Sequence, residues 1–170
     1  MAQIRPAVAE DIPDIRALEV AAGQRFRQVG LERVADDDPP EVEVLACLIA
    51  HGQLWVAQSC NGFRIDGWAC GEDIDGHGHV EQVSVHPDAA GKGLGRRLVS
   101  AVESWARAQG SHWITLTTYR DIPWNGPWYE RLGYRLFPEA QWGPHLKAVR
   151  EQEIAHGLDL APRIAMIKDL

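Results

Sequence analysis

Apolar residues recur along the chain with two different periods, and the changes between them mark out most of the elements. Ile4-Arg5-Pro6-Ala7 reads as a short first strand. Behind Asp11, a residue suited to cap a helix, Ile12, Ile15, Leu18 and Ala22 fall at helical spacing, and Gly23 then permits a turn. A second helix is predicted from Pro40 to Ala50, with Val44, Leu45, Leu48 and Ile49 on one side, Pro40 suited to the first turn and Gly52 as the stop. Gln53 to Ser59 and Phe63 to Glu72 read as antiparallel strands joined by Cys60-Asn61-Gly62, in which Asn-Gly is a strong hairpin signal.

A third strand follows Asp75-Gly76-His77-Gly78, and its alternation puts His79, Glu81, Val83 and Val85 on one face before Pro87 ends it. The period then returns to helical, with Leu94, Leu98, Val102 and Trp105 on one stripe and Gly110 at the end. Trp113 to Thr118 is a β-rich run, Asn125 to Leu132 a short helix closed by Gly133, Tyr134 to Phe137 a strand, and Arg163 to Ile167 the last one. The order β-α-α-β-β-β-α-β-α-β-β predicts an α/β (mixed α+β) fold, one sheet with helices packed on it, as a single domain over residues 1–170.

Composition narrows the function classes. With 45% hydrophobic and 24% charged residues, the chain matches ordinary globular proteins. The net charge of −7 disfavours nucleic acid as a partner, since phosphate binding relies on clustered Lys and Arg, and it suits a cationic substrate. Three cysteines without Cys-x-x-Cys spacing argue against both a disulfide framework and a zinc site, so no metal is expected. The first residues lack a signal-peptide layout and no apolar run could span a bilayer, which leads us to expect a cytoplasmic location and no membrane partner.

The most informative stretch runs from Val83 to Leu98 and contains Ala90-Gly91-Lys92-Gly93-Leu94-Gly95-Arg96. A strand entering a helix through a glycine-rich turn presents free backbone N–H groups at the positive end of the helix dipole, which is an anion site. Glycines let a pyrophosphate approach the backbone, and Lys92 and Arg96 add positive charge. Neither the spacing of a P-loop nor that of a dinucleotide fingerprint is present.

Those residues resemble the GNAT acetyltransferase superfamily, whose strand-Pro-turn-(Gln/Arg)-x-x-Gly-x-(Gly/Ala)-helix segment binds the pyrophosphate of acetyl-CoA; Ala90 stands here at the Gln/Arg position. Tyr129-Glu130-Arg131-Leu132-Gly133-Tyr134 is similar to the family's late helix-to-strand segment. The resemblance implies a mostly antiparallel twisted sheet of about seven strands with a splayed central pair, flanked by four helices. It implies acetyl-CoA as cosubstrate, bound by Val83, Val85, Gly91, Lys92, Gly93, Gly95 and Arg96, with Tyr129 protonating the departing thiolate. Asn125 lies one turn before Tyr129, where a cofactor contact and a helix cap are both open readings.

Transfer to an amine needs a neutral nitrogen, and Glu81 is the favoured base because it shares a face with Val83 and Val85, with His79 one step further along as second choice. Thr115 and Thr117 are expected on the partner strand. Seven tryptophans are many for 170 residues, and Trp124, Trp128 and Trp142 fall near the expected active end, where aromatic walls suit a small amine. Trp124 and Phe26 are the expected substrate contacts. The acceptor expected is a primary amine of a small molecule, aromatic or polyamine in type. A protein or peptide N-terminal acetyltransferase and a non-catalytic CoA-binding sensor remain the alternatives, and a homodimer is possible by analogy with relatives.

Overall fold

The computed structural model describes residues 2–59 and 64–170, so the turn expected at Cys60-Asn61-Gly62 and the start of the next strand at Phe63 lie outside the described residues. The strands are β1 (Gln3–Pro6), β2 (Leu54–Gln58), β3 (Ile65–Ile74), β4 (His77–Val85), β5 (Trp113–Tyr119), β6 (Arg135–Leu136) and β7 (Arg163–Asp169). The helices are α1 (Ile12–Gly23), α2 (Glu32–Ala35), α3 (Val42–Ala50), α4 (Leu94–Ala108), α5 (Gly126–Arg131) and α6 (Pro144–Ala155). The seven strands form one sheet in the order β1-β2-β3-β4-β5-β7-β6. The β1/β2, β2/β3, β5/β7 and β6/β7 pairs are antiparallel, and β4/β5 is parallel. That parallel register covers only Gly78 to Val80 against Ile114 to Leu116, the short pairing expected of a splayed central pair.

Two compact units are distinguishable, and β4 runs through both: residues 1–71 with 82–105, and residues 72–81 with 106–170. In the first, the apolar stripe of α1 (Ile12, Ile15, Leu18) and Leu45 and Leu48 of α3 pack with Leu54 and Val56 of β2 and with Ile65, Trp68 and Cys70 of β3. The helical period predicted both stripes except for Val44 of α3, which is 52% exposed, and two boundary residues, Asp11 and Pro40, act differently from expectation. Asp11 makes no side-chain cap bond to α1; its carboxylate instead pairs with Arg5 at 2.7 and 2.8 Å and accepts the Val8 N–H. α1 ends at Gly23, and the chain turns there through a 3-10 segment, Gln24–Val29, that closes at Gly30 with φ 73°. Pro40 precedes α3, whose N-cap is Glu41.

In the second unit β5 is the central strand, flanked by the first residues of β4 and by β7. Ile74, Leu146 and Ala165 form its small apolar cluster with Phe137, Trp142 and Val149. Trp142, expected near the active end, belongs to that cluster and donates its indole N–H to Phe137 O at 2.8 Å. Gly78 is required where β4 meets the end of α4, because a Cβ there would lie 2.5 Å from that of Ala106.

The described residues form six helices where four were expected. α2 is a single turn, and α6 was missed because its apolar positions, Leu146, Val149 and Ile154, are sparse and Ile154 is exposed. What fixes α6 is remote in sequence. Asp75, at φ 55° in the β3–β4 turn, accepts the backbone N–H of His145 at 3.0 Å and of Leu146 at 3.1 Å, and its carboxylate also contacts His145 Nδ1 at 2.9 Å. Any side chain at Gly143 would collide with that carboxylate. Burial penalises the Asp75 charge, but these bonds outweigh it and hold its pKa below the usual value. The contribution is therefore full at neutral pH and is lost as pH falls through that lowered value. Asp75→Ala is expected to cost about 2 kcal/mol, from the lost cap and a left-handed backbone, and to lower Tm by roughly 4–8 °C in a thermal melt at pH 7.

Candidate active site

The glycine-rich turn belongs to the first unit. A 3-10 turn, Pro87–Ala89, leads from β4 to Gly91 and Gly93, both at φ 74°, and α4 begins at Leu94. Nothing lies within 4 Å of where a Cβ would stand at either glycine, so it is the backbone angle and not crowding that selects them. The first helical bond runs from Arg97 N–H to Gly93 O at 3.3 Å, which leaves the N–H groups of Leu94, Gly95 and Arg96 ahead of the ladder. Arg96 is exposed, whereas Lys92 Nζ folds back onto Asp88 O at 2.9 Å. Val83 and Val85 are half-buried on one face of β4 with Ser84 buried on the other. The alternation read from sequence holds. Gly93→Ala would place a side chain at φ 74°, a strain of about 1–2 kcal/mol, and is expected to raise KM for acetyl-CoA about tenfold with a smaller change in kcat, measured by donor titration.

Within the first unit a second carboxyl is nearly enclosed. Glu19 of α1 accepts the Trp68 indole N–H at 2.9 Å and the Gln82 amide at 2.7 Å. Burial raises its pKa against the opposing hydrogen bonds of Ser84, Trp68 and Gln82.

Tyr129 is set by the start of α5 in the second unit. Gly126 sits against the Arg120 carbonyl, where no Cβ fits, and the N–H groups of Trp128 and Tyr129 both bond Asn125 O, at 2.9 and 3.0 Å. The Tyr129 ring meets Trp128 and Tyr134 edge-on, with centroids 4.8 and 5.6 Å away. Burial pushes its phenol pKa well above the ordinary value, so the hydroxyl keeps its proton at any working pH. Asn125 makes no side-chain cap bond, and its buried Oδ1 has no partner among the described residues. That is an unmet acceptor where a cap was one of the two readings. Trp124 and Phe26, the expected substrate contacts, are both half-buried, Trp124 before α5 and Phe26 in the 3-10 turn after α1.

The second unit also gathers a polar cluster on β4, β5, β7 and α6. His79 is 1% exposed, its Nδ1 2.8 Å from Thr115 Oγ1 and its Nε2 3.7 Å from Glu81 Oε2. Burial lowers its pKa to about 4, against the pull of Glu153, so the ring is neutral. Glu81 lies deep among protein atoms, yet its side chain remains 45% accessible, so solvent reaches the carboxylate. Burial, then repulsion from Glu72 and Glu153, pushes its pKa up to about 7, with Arg163 opposing.

Thr117 donates to Glu153, which also binds Arg150 and Arg163; Arg163 Nη2 lies 3.0 Å from Glu153 Oε1, with its guanidinium 4.6 Å from the Tyr119 ring centroid. Thus His79, Glu81, Thr115 and Thr117 do converge, as sequence suggested. Glu153 and Arg163 were missed. Pro144 after Gly143, with no breaker before Gly157, was the signal for the helix that carries Glu153.

A solvent-accessible carboxylate whose pKa is pushed up to about 7 can accept a proton near neutrality, and a buried phenol that keeps its proton can donate one, the two capacities that acyl transfer to an amine requires. A family model for an acetyltransferase (GNAT) domain matches residues 50–136, and the chain belongs to that family. Solved structures share the fold at low identity. A GNAT-family acetyltransferase from Staphylococcus aureus is 13% identical at a TM-score of 0.75, over 100% of this chain and 99% of that one. The PaiA N-acetyltransferase of Thermoplasma acidophilum, in complex with coenzyme A, is 13% identical at 0.72 over 100% and 99%. N-acetylglutamate synthase from Neisseria gonorrhoeae, complexed with coenzyme A and N-acetyl-glutamate, is 18% identical at 0.71; it is covered over 35% of its length by 100% of this chain. Among the described residues no helix is long and apolar enough to cross a membrane.

Proposed function

We propose that this acetyltransferase moves the acetyl group of acetyl-CoA to a primary amine of a small molecule, of aromatic or polyamine type, by direct transfer. The observation that carries the acceptor class is the charge around Glu81: Glu72 and Glu153 both act to raise its pKa, against Arg163, an environment favourable to a cation. The residues fit the donor too. Gly91 and Gly93 hold the turn open, the N–H groups at the start of α4 suit a pyrophosphate, and the unmet Asn125 Oδ1 suits a polar group of the donor. Lys92 and Arg96 add positive charge beside the turn, and the backbone of Val83 and Val85 is proposed for the pantetheine arm and the acetyl carbonyl.

Acetyl-CoA supplies an activated carbonyl and a thiolate leaving group. Glu81 takes a proton from the acceptor ammonium so that the nitrogen can attack, and the accessible side of its carboxyl returns that proton to solvent. Tyr129 gives its proton to the sulfur as negative charge develops there, and the second proton that the nitrogen loses on becoming an amide restores the phenol, so that one proton in all is released to solvent. Phe26 and Trp124 are proposed as aromatic acceptor contacts.

The test is a thiol-release assay with acetyl-CoA against aromatic monoamines, polyamines, aminoglycosides, amino acids and short peptides. Turnover of amines that carry no carboxylate supports the reading; turnover confined to peptides or amino acids replaces the acceptor class. Absence of turnover with acetyl-CoA still raising Tm moves the function to binding alone.

A further inference from the structure

We propose that His79 is a positioning residue that exchanges its two neutral tautomers as Glu81 gains or loses a proton, with Thr115 as the reciprocal partner. A neutral imidazole has one N–H and one lone pair, and its two nitrogens here face groups of opposite adaptability. Nδ1 is 2.8 Å from the Thr115 hydroxyl, which either donates or accepts; Nε2 points at a Glu81 oxygen 3.7 Å away. An ionised Glu81 favours the Nε2–H tautomer, with Thr115 O–H donating to Nδ1. A protonated Glu81 favours a lone pair on Nε2, with Nδ1–H donating to Thr115 Oγ1. Thr115 satisfies Nδ1 in both states, and the 3.7 Å contact of Nε2 with Glu81 is electrostatic rather than a hydrogen bond, so the buried ring turns a matching N–H or lone pair towards either form of the carboxyl without becoming charged.

The proton count is conserved throughout. Glu81 gains one proton, from the acceptor ammonium in turnover or from solvent in a titration. On the ring the Nε2–H bond is lost and an Nδ1–H bond is formed, its total staying at one. The charged groups that set the balance come from three neighbouring elements: Glu72 from β3, Glu153 from α6 and Arg163 from β7 act on Glu81, and Glu153 also acts on His79. Burial keeps the imidazolium from forming until about pH 4, which leaves a window in which tautomer exchange is the only change at the ring.

The experiment is side-chain 15N NMR of His79 from pH 5 to 9 in the wild type, Glu81→Gln, Thr115→Val and Thr115→Ser. In the wild type the Nδ1 and Nε2 shifts are expected to exchange character near pH 7, with Nε2–H on the alkaline side and no imidazolium shift. In Glu81→Gln both shifts should stay flat. Thr115→Val strands a buried Nδ1–H, which locks the ring as Nε2–H and removes an acceptor from protonated Glu81. The acidic limb of kcat/KM then moves down by about half a pH unit, and Thr115→Ser restores it. Only this kinetic arm rests on Glu81 being the base. One tautomer across the whole range in the wild type, or an imidazolium appearing as Glu81 titrates, overturns the proposal whatever the enzyme acetylates.

Discussion

Glu81→Gln is expected to lower kcat/KM for the acceptor about a hundredfold, and to remove the acidic limb from its pH profile. The wild-type profile should rise through about pH 7 and level off above, because the base proposed here acts as the ionised carboxylate and burial with Glu72 and Glu153 pushes its pKa up to about 7. An ordinary glutamate, near pKa ~4.3, would leave the profile flat over that range. The loss is placed at the lower end for general-base catalysis because the side chain is accessible and water can take over part of the proton transfer. The measurement is initial rate at sub-saturating acceptor from pH 5 to 9. A variant with an unchanged profile would remove Glu81 from the mechanism while leaving the fold and the donor site untouched.

Tyr129→Phe is expected to lower kcat about 10- to 100-fold with little change in the KM for acetyl-CoA. The ring packs edge-on against Trp128 and Tyr134, contacts that phenylalanine keeps, so Tm should move by less than about 2 °C. In the proposed mechanism the variant loses one donor to a charge that develops only in the transition state, comparable to an oxyanion-hole donor but aimed at a diffuse sulfur. Since burial keeps the phenol protonated, the rate should show no basic limb from Tyr129 below its ordinary pKa of about 10. Thioesters of more acidic thiols need less help in leaving, so the gap between wild type and variant should narrow with them. A gap that is the same for all thioesters would exclude proton donation to sulfur.

Much of this site was legible in the chain because its parts are local. Gly91 and Gly93 announce left-handed angles at a strand-to-helix turn, and period two along β4 puts Glu81, Val83 and Val85 on one face. Helical spacing likewise identified the buried stripes of α1, α3 and α4. Local pattern failed where a partner distant in sequence decides the outcome. α6 has too few apolar positions to be read from periodicity and is capped by Asp75, seventy residues before His145. Asn125 has a cap's composition but leaves its Oδ1 buried and, among the described residues, unmet.

The acid–base character belongs wholly to the tertiary structure. Sequence supplied a glutamate and a histidine two residues apart on one strand. Only folding brought Glu72, Glu153 and Arg163 around the carboxylate and buried His79 against Thr115, and that is what separates the two pKa values to about 7 and about 4. A residue's type and its place on a strand are fixed by covalent order; its ionisation is fixed by the solvent it loses and by charges that arrive from other elements.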